Sequence, residues 1–170
     1  MKIAVLTISD SSFDDNSLDR SGPALCELIR KSEKLNGAVV GDSLIVPDEK
    51  ETIVKTLVRL ASTNEVILST GGTGCAPRDV TPEATKDVVE KECPGIVTAL
   101  LVRSLQATPF AALTRLCAGI RGSTLIVNLP GNPKAVKECF EVLEGILVHA
   151  VQLINDKRDQ VAETHNDLLK

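Results

Sequence analysis

An α/β domain of three layers is expected from this sequence: α/β/α, with a mainly parallel sheet between two layers of helices. Three observations carry this. Short apolar runs alternate with amphipathic segments along nearly the whole chain. The runs are continuously apolar, as expected of strands buried on both faces. The 170 residues, 43% hydrophobic and 25% charged, suffice for one domain whose core needs neither disulfides nor metal.

Ile3 to Leu6, with Ile8, reads as a buried strand. Ser21-Gly22-Pro23 opens a helix, proline being suited to the first turn. Leu25, Leu28 and Ile29 form that helix's apolar face, and Gly37 is its expected stop. A second strand runs over 38–46 and ends at Pro47-Asp48; a second helix carries Ile53, Leu57, Leu60 and Ala61 on one side. Val66-Ile67-Leu68 is a third strand that runs into Ser69-Thr70-Gly71-Gly72-Thr73-Gly74. Thr81-Pro82 and Pro94 open two further helices. Leu125-Ile126-Val127 is a fourth strand, ending in Pro130-Gly131-Asn132-Pro133. Val136, Phe140, Leu143, Leu147 and Val151, spaced by three or four, predict one long final helix. Residues 105–123 show no clean period. The domain is expected over 1–156, with 157–170 as a polar tail, frayed or disordered.

Composition excludes several functions. A net charge of −4 and 2% aromatics, with no Trp or Tyr, argue against a nucleic-acid surface or a base-stacking platform. No apolar stretch approaches the roughly 18 residues of a membrane span, and the first residues lack the features of a signal peptide. Cys26, Cys75, Cys93, Cys117 and Cys139 are odd in number and contain no CxxC pair. With His149 and His165 they make no zinc spacing. They read as reduced, mostly buried thiols of a cytoplasmic protein. His149 reads as structural and His165 has no assigned role. No Ser-His-Asp or Cys-His arrangement suggests covalent catalysis.

The chemistry concentrates at strand ends, where open α/β sheets bind ligands. Ser9-Asp10 follows the first strand, Asp48 the second, the GGTG loop the third and PGNP the fourth. Gly71 to Gly74 let backbone approach a ligand and offer N–H groups to an anion, although neither a P-loop nor a Rossmann fingerprint is present. Asp79, just ahead of the Thr81-Pro82 helix start, suits a carboxylate that holds Mg²⁺ on a polyphosphate, with Asp48 as a second. A helix-start or loop role remains open for both. PGNP is either a plain turn or a backbone wall for a nucleotide. Two of Arg20, Arg78, Arg103, Arg115 and Arg121 are expected at the site, neutralising an anion.

TISD at 7–10, DRSGP at 19–23, VPDE at 46–49, GGTGCAPRDVTPEAT at 71–85, PGI at 94–96 and AGIRGSTLIVNLPGNPKAV at 118–136 resemble the molybdopterin adenylyltransferase family over roughly residues 2–155. That family includes bacterial molybdenum-cofactor enzymes and the G domains of gephyrin and its plant counterparts. The similarity to eukaryotic G domains stands out, without an E domain, so the chain stands alone or is the G-type portion of a longer protein. The resemblance implies the molybdopterin-binding-domain fold and a Mg²⁺-dependent transfer of the adenylyl group of ATP to the terminal phosphate of molybdopterin, releasing pyrophosphate. It implies Asp48 and Asp79 as the essential carboxylates and metal-binding groups. Ser9, Asp10, Gly71, Gly72, Thr73, Gly74, Pro130, Gly131 and Asn132 would bind the nucleotide, and Ser104, Thr114 and Asn128 would lie towards the pterin. Thr114 stands where many relatives have Ser in a Ser-Arg pair. A homotrimer and a molybdenum-insertase (E-domain-like) partner are also implied. The rival reading is a non-catalytic, trimeric scaffold that binds molybdopterin without turnover.

Overall fold

In the computed structural model, which describes residues 1–35 and 37–156, six strands form one sheet: β1 (Lys2–Ile8), β2 (Val39–Val46), β3 (Val66–Thr70), β4 (Lys91–Glu92), β5 (Ala118–Arg121) and β6 (Thr124–Leu129). Their spatial order is β2-β1-β3-β6-β5-β4. The four from β2 to β6 run parallel, whereas β5 runs antiparallel to both of its neighbours, β6 and β4. The tail at 157–170 and His165 lie outside the described residues.

Successive strand residues face opposite sides, so the apolar runs feed two cores. Ile3, Val5, Val66, Leu68, Leu125 and Val127 face one core. Helices α2 (Ser21–Lys31), α5 (Pro94–Ala107), α6 (Pro133–Leu143) and α7 (Leu147–Ile154) cover it. Ala4, Leu6, Ile8, Ile67 and Ile126 face the other core, under α3 (Lys50–Ala61) and α4 (Thr81–Val88). Each fully buried Ile or Leu contributes about 1.5–3 kcal/mol, and these two faces hold the predicted three layers together. A short α1 (Asp10–Asp14) follows β1 directly.

Three expectations are corrected. Helix α2 ends at Lys31, not at Gly37; Ser32 turns extended and its hydroxyl bonds Glu144 at 2.9 Å. The chain leaves the helix to place Leu35 in the core at 2% exposure, and Gly37, at φ +78°, turns it towards β2. The long final helix breaks between Leu143 and Leu147, where Gly145 and Ile146 donate to carbonyls only three residues back. Leu143 and Leu147, on either side of this break, are both fully buried. Strand β2 is not buried on both faces: as a sheet edge, it alternates exposed and half-buried residues over most of its length. In 105–123, a 3₁₀ turn at Pro109–Leu113 leads to β5. A strand of four residues and its two-residue neighbour β4 are too short to set a period.

From β1 the chain goes to β2 on one side, then to β3 and β6 on the other. The carboxyl ends of β1 and β3 therefore flank a topological switch point, where an open sheet leaves a crevice.

Candidate active site

The crevice holds a cavity of about 560 Å³. Ser9 comes from the end of β1, Asp48 from that of β2, Gly71 and Gly72 from that of β3, and Gly131 and Asn132 from that of β6, with Asp79 and Arg20 completing the wall. Two backbone features close its floor. Gly71 and Gly72 have φ of +102° and +60°. A Cβ on Gly71 would strike the carbonyl of Ile8, and one on Gly72 would sit 2.7 Å from Asp48 Oδ1. The PGNP turn is tied to this loop, since Thr70 Oγ1 donates to the carbonyl of Pro130 at 2.6 Å and Gly71 N–H to that of Leu129 at 3.2 Å.

Asp48 and Asp10 exchange hydrogen bonds. Asp10 N–H donates to Asp48 Oδ2, and Asp48 N–H donates to Asp10 Oδ1, each at 2.9 Å. Arg78 grips the same Asp10 carboxylate through Nε at 2.9 Å and Nη2 at 2.8 Å. Arg78 and then the Asp48 N–H hold the Asp10 carboxyl below its usual range. Asp48 moves the other way: burial pushes it up, helped by the charges of Asp10 and Asp79 and opposed by the Asp10 N–H and Arg78. Asp48 Oδ1 is buried without a hydrogen-bond partner among the described residues. Asp79 Oδ2 accepts the Ala76 N–H at 3.0 Å, closing its own turn.

Arg115 straps the glycine loop from behind. Its Nε donates to the carbonyl of Gly74 at 2.7 Å, its Nη2 to that of Asp79 at 2.6 Å, and its backbone N–H to that of Thr73 at 2.8 Å. It also pairs with Glu83. Thr73, 4% exposed, is buried beneath this strap.

A second cavity, of about 260 Å³, adjoins the first and shares Asn132 with it. Ser104, Thr114, Phe110, Ala111 and Pro130 line it. The hydroxyl of Thr114 makes no hydrogen bond to any described residue, and Ser104 Oγ lies 3.5 Å from Cys139 Sγ.

The expected site residues therefore divide. Ser9, Asp48, Asp79, Gly71, Gly72, Gly131 and Asn132 meet in the larger cavity, and Ser104 and Thr114 in the smaller. Asp10 sits on the rim facing Arg78, Thr73 and Gly74 do not line the larger cavity and have their carbonyls held by Arg115, and Pro130 lines the smaller cavity. Asn128 lines neither. It is 0% exposed inside the sheet, and its Nδ2 donates to Ser69 Oγ and Thr85 Oγ1, each at 2.9 Å. Of the five candidate arginines, Arg20 lines the cavity and Arg78 stands at its edge; Arg103 pairs with Glu141, Arg121 caps Val88, and Arg115 serves the loop. Asp19 has no site role in the sequence reading, although the DRSGP run contains it. It accepts from Thr7 Oγ1 at 2.8 Å and from Gly22 N–H at 2.9 Å in the cavity wall. Cys75 is exposed and Cys93 half-buried, while Cys26, Cys117 and Cys139 are buried as expected.

An acidic, glycine-walled cleft at the switch point of a parallel sheet marks this molecule as an α/β ligand-binding domain. The chain belongs to the family described as the probable molybdopterin binding domain, which matches residues 4–150. It is 49% identical over 166 residues to the molybdenum cofactor synthesis protein cinnamon of Drosophila melanogaster, covering 96% of this chain but 27% of that protein. The chain thus spans about a quarter of such longer relatives, as it does of Dictyostelium discoideum gephyrin, at 24%. It is 40% identical to a molybdopterin adenylyltransferase of Helicobacter pylori, covering 95% of this chain and 92% of that enzyme. The crystal structure of the molybdopterin biosynthesis enzyme MoaB from Thermus thermophilus superposes with a TM-score of 0.82 at 39% identity, over 90% of this chain and 95% of that one. No helix among the described residues is long and apolar enough to cross a membrane.

Proposed function

We propose that this chain transfers the adenylyl group of ATP to the terminal phosphate of molybdopterin, releasing pyrophosphate. One observation carries the reading: a carboxylate-bearing cavity at the strand ends opens beside a second, less polar one, so two substrates can meet at the Asn132 turn. ATP would occupy the larger cavity, with Gly71, Gly72 and the PGNP turn against the nucleotide. The pterin would occupy the smaller, near Ser104 and Thr114.

An oxygen of the terminal molybdopterin phosphate attacks the α-phosphorus of ATP, the bond from that phosphorus to the β-phosphate oxygen breaks, and pyrophosphate leaves with the electron pair. No protein nucleophile is needed, so the chain's task is to position and neutralise. Gly71 and Gly72 let the triphosphate approach the backbone closely. Arg20 supplies positive charge in the wall, and Ser9, capping α1, holds the loop after β1 in place.

A cleft walled by Asp48 and Asp79 would repel a polyphosphate on its own. The partnerless Asp48 Oδ1 fits a hard divalent cation such as Mg²⁺, which takes one or two carboxylates together with phosphate oxygens. No group of three or more His, Cys, Asp or Glu side chains gathers as a metal site among the described residues. Asp48 and Asp79 would hold it, and when bound it supplies charge neutralisation for the leaving pyrophosphate.

A homotrimer is part of the same reading. Phe110, 78% exposed, lines the smaller cavity, and Val102, Leu105 and Leu113, near it in the chain, are 47–60% exposed, apolar surface that suits a neighbouring copy. The product would pass to a molybdenum insertase of the E-domain type, in the cytoplasm. Pyrophosphate release from ATP, Mg²⁺ and molybdopterin tests the reaction. A chain that binds molybdopterin but releases no pyrophosphate is a scaffold. Light scattering that returns a single-chain mass removes the trimer.

A further inference from the structure

We infer that Asp10 and Arg78 form a latch that aims the free oxygen of Asp48 into the cleft and keeps it in register with Asp79. The inference rests on the adenylyl-transfer reading but concerns two residues that hold the machinery and need not touch substrate.

The geometry gives each atom of the latch one task. Asp48 Oδ2 is fixed by the Asp10 N–H, and the Asp48 backbone is fixed by Asp10 Oδ1. With one oxygen bound, the Asp48 carboxylate cannot rotate freely, and its other oxygen is left buried beside Gly72 without a partner. Asp10 is in turn held by both arms of the Arg78 fork, and the rigid planar guanidinium sets the carboxylate plane as an ammonium would not. Arg78 precedes Asp79 in a turn closed twice, by Asp79 N–H to the Ala76 carbonyl at 2.9 Å and by Ala76 N–H to Asp79 Oδ2 at 3.0 Å. Pinning Arg78 therefore also pins Asp79. Three loops, after β1, β2 and β3, are joined through one carboxylate, that of Asp10, which accepts from Asp48 and from Arg78.

Stability is not the purpose of this pair. Its side chains are 61% and 44% exposed, and exposed ion pairs contribute little to folding. Variants of the latch should fold, which makes a functional test clean.

The experiment compares wild type with Asp10→Asn, Arg78→Ala and Arg78→Lys. The Asn variant keeps an acceptor for the Asp48 N–H and loses the charge pairing. Pyrophosphate release is measured with ATP and molybdopterin, and Mg²⁺ is titrated calorimetrically into each protein loaded with α,β-methylene-ATP. The expected result is a kcat lower by roughly 10- to 100-fold in Asp10→Asn and Arg78→Ala, the scale of a misplaced reacting group. Mg²⁺ affinity falls, KM for ATP and the melting temperature hold, and Arg78→Lys recovers only part. Wild-type kcat and Mg²⁺ affinity in Arg78→Ala overturn the latch. So does a loss confined to KM for ATP, which would make Arg78 a substrate contact. If wild type itself releases no pyrophosphate, the adenylyl-transfer reading falls, while the Mg²⁺ titration still decides the latch: equal affinities in wild type and Arg78→Ala overturn it.

Discussion

The two cavities that meet at Asn132 are built in different ways. The larger is made at the ends of parallel strands, from backbone, glycines and short polar side chains whose positions the sheet itself dictates. The smaller is made by the end of α5, a 3₁₀ turn and the start of α6, and it has an apolar lining from Ala107, Phe110, Ala111 and Ala135. Charge and shape are thus used in separate places. Strand ends converge on one rim whatever their side chains, so that rim is suited to precise electrostatics. A wall of helix and turn can vary in shape, and is suited to selecting a ligand's body.

Neutralising the rim should expose this division most strongly. Asp79→Asn keeps an oxygen to accept the Ala76 N–H, so the turn should survive and the melting temperature should hold. The amide cannot offset cationic charge. A loss of about 2–4 kcal/mol of transition-state stabilisation is expected, typical of removing one electrostatic group, and pyrophosphate release measures it. Wild-type turnover would make Asp79 a turn residue alone.

A smaller effect is expected on the shape side. Thr114→Val keeps the branched form and removes the hydroxyl, which has no partner among the described residues. Loss of one hydrogen bond to the pterin should cost ~1–3 kcal/mol, read as molybdopterin affinity by calorimetry, while Thr114→Ser should retain it. ATP affinity should be unchanged in both if the nucleotide occupies the other cavity, as proposed. Equal losses for ATP and molybdopterin would show the cavities to be a single site.

The smallest effect is on stability and carries the opposite sign. Burial raises the Asp48 carboxyl above its ordinary value. Such a group favours folding fully below the unfolded-state pKa, and that contribution is lost as pH rises through the folded-state value. At neutral pH, in metal-free buffer, Asp48 should therefore cost stability, and Asp48→Asn should raise the melting temperature while abolishing turnover. The gain should be no more than a few degrees, since 1 kcal/mol corresponds to about 2–4 °C in a chain of this size. Melting curves at decreasing pH should show the two proteins converging as the carboxyl protonates. A lower melting temperature for the variant at neutral pH would contradict the burial argument.

Much of the strand-end rim is legible in the chain, because a buried parallel strand is a local signal. Val66 to Leu68 is apolar without a break, and the residues just beyond it must lie at a carboxyl end, which places Gly71 and Gly72 from sequence alone. Asp79 and Asp48 stand out as candidate carboxylates from their positions, and the resemblance of VPDE and of the GGTG…RDVTPEAT run to one family implies that both are essential. The smaller cavity is less legible: Ser104 and Thr114 came from resemblance alone, and residues 105–123 carry no period because a 3₁₀ turn and a four-residue antiparallel strand are too short to repeat.

Hydrophobic period and turn residues act over a few neighbours. They were enough to specify the layer architecture, the parallel strands β1, β3 and β6, and the carboxylates and glycines at their ends. Contacts distant in the chain settled the remainder. Helix α2 ends at Lys31 and the chain then buries Leu35, and the final helix breaks at Gly145 with Leu143 and Leu147 in the core on either side of the break. Asn128 is withdrawn into the sheet, and Asp10 turns from the cavity towards Arg78. The hydrogen bonds behind these outcomes join residues between 43 and 112 positions apart, or the core to be filled is shared by several elements. No local pattern encodes a hydrogen bond between loops that meet only after the sheet has formed.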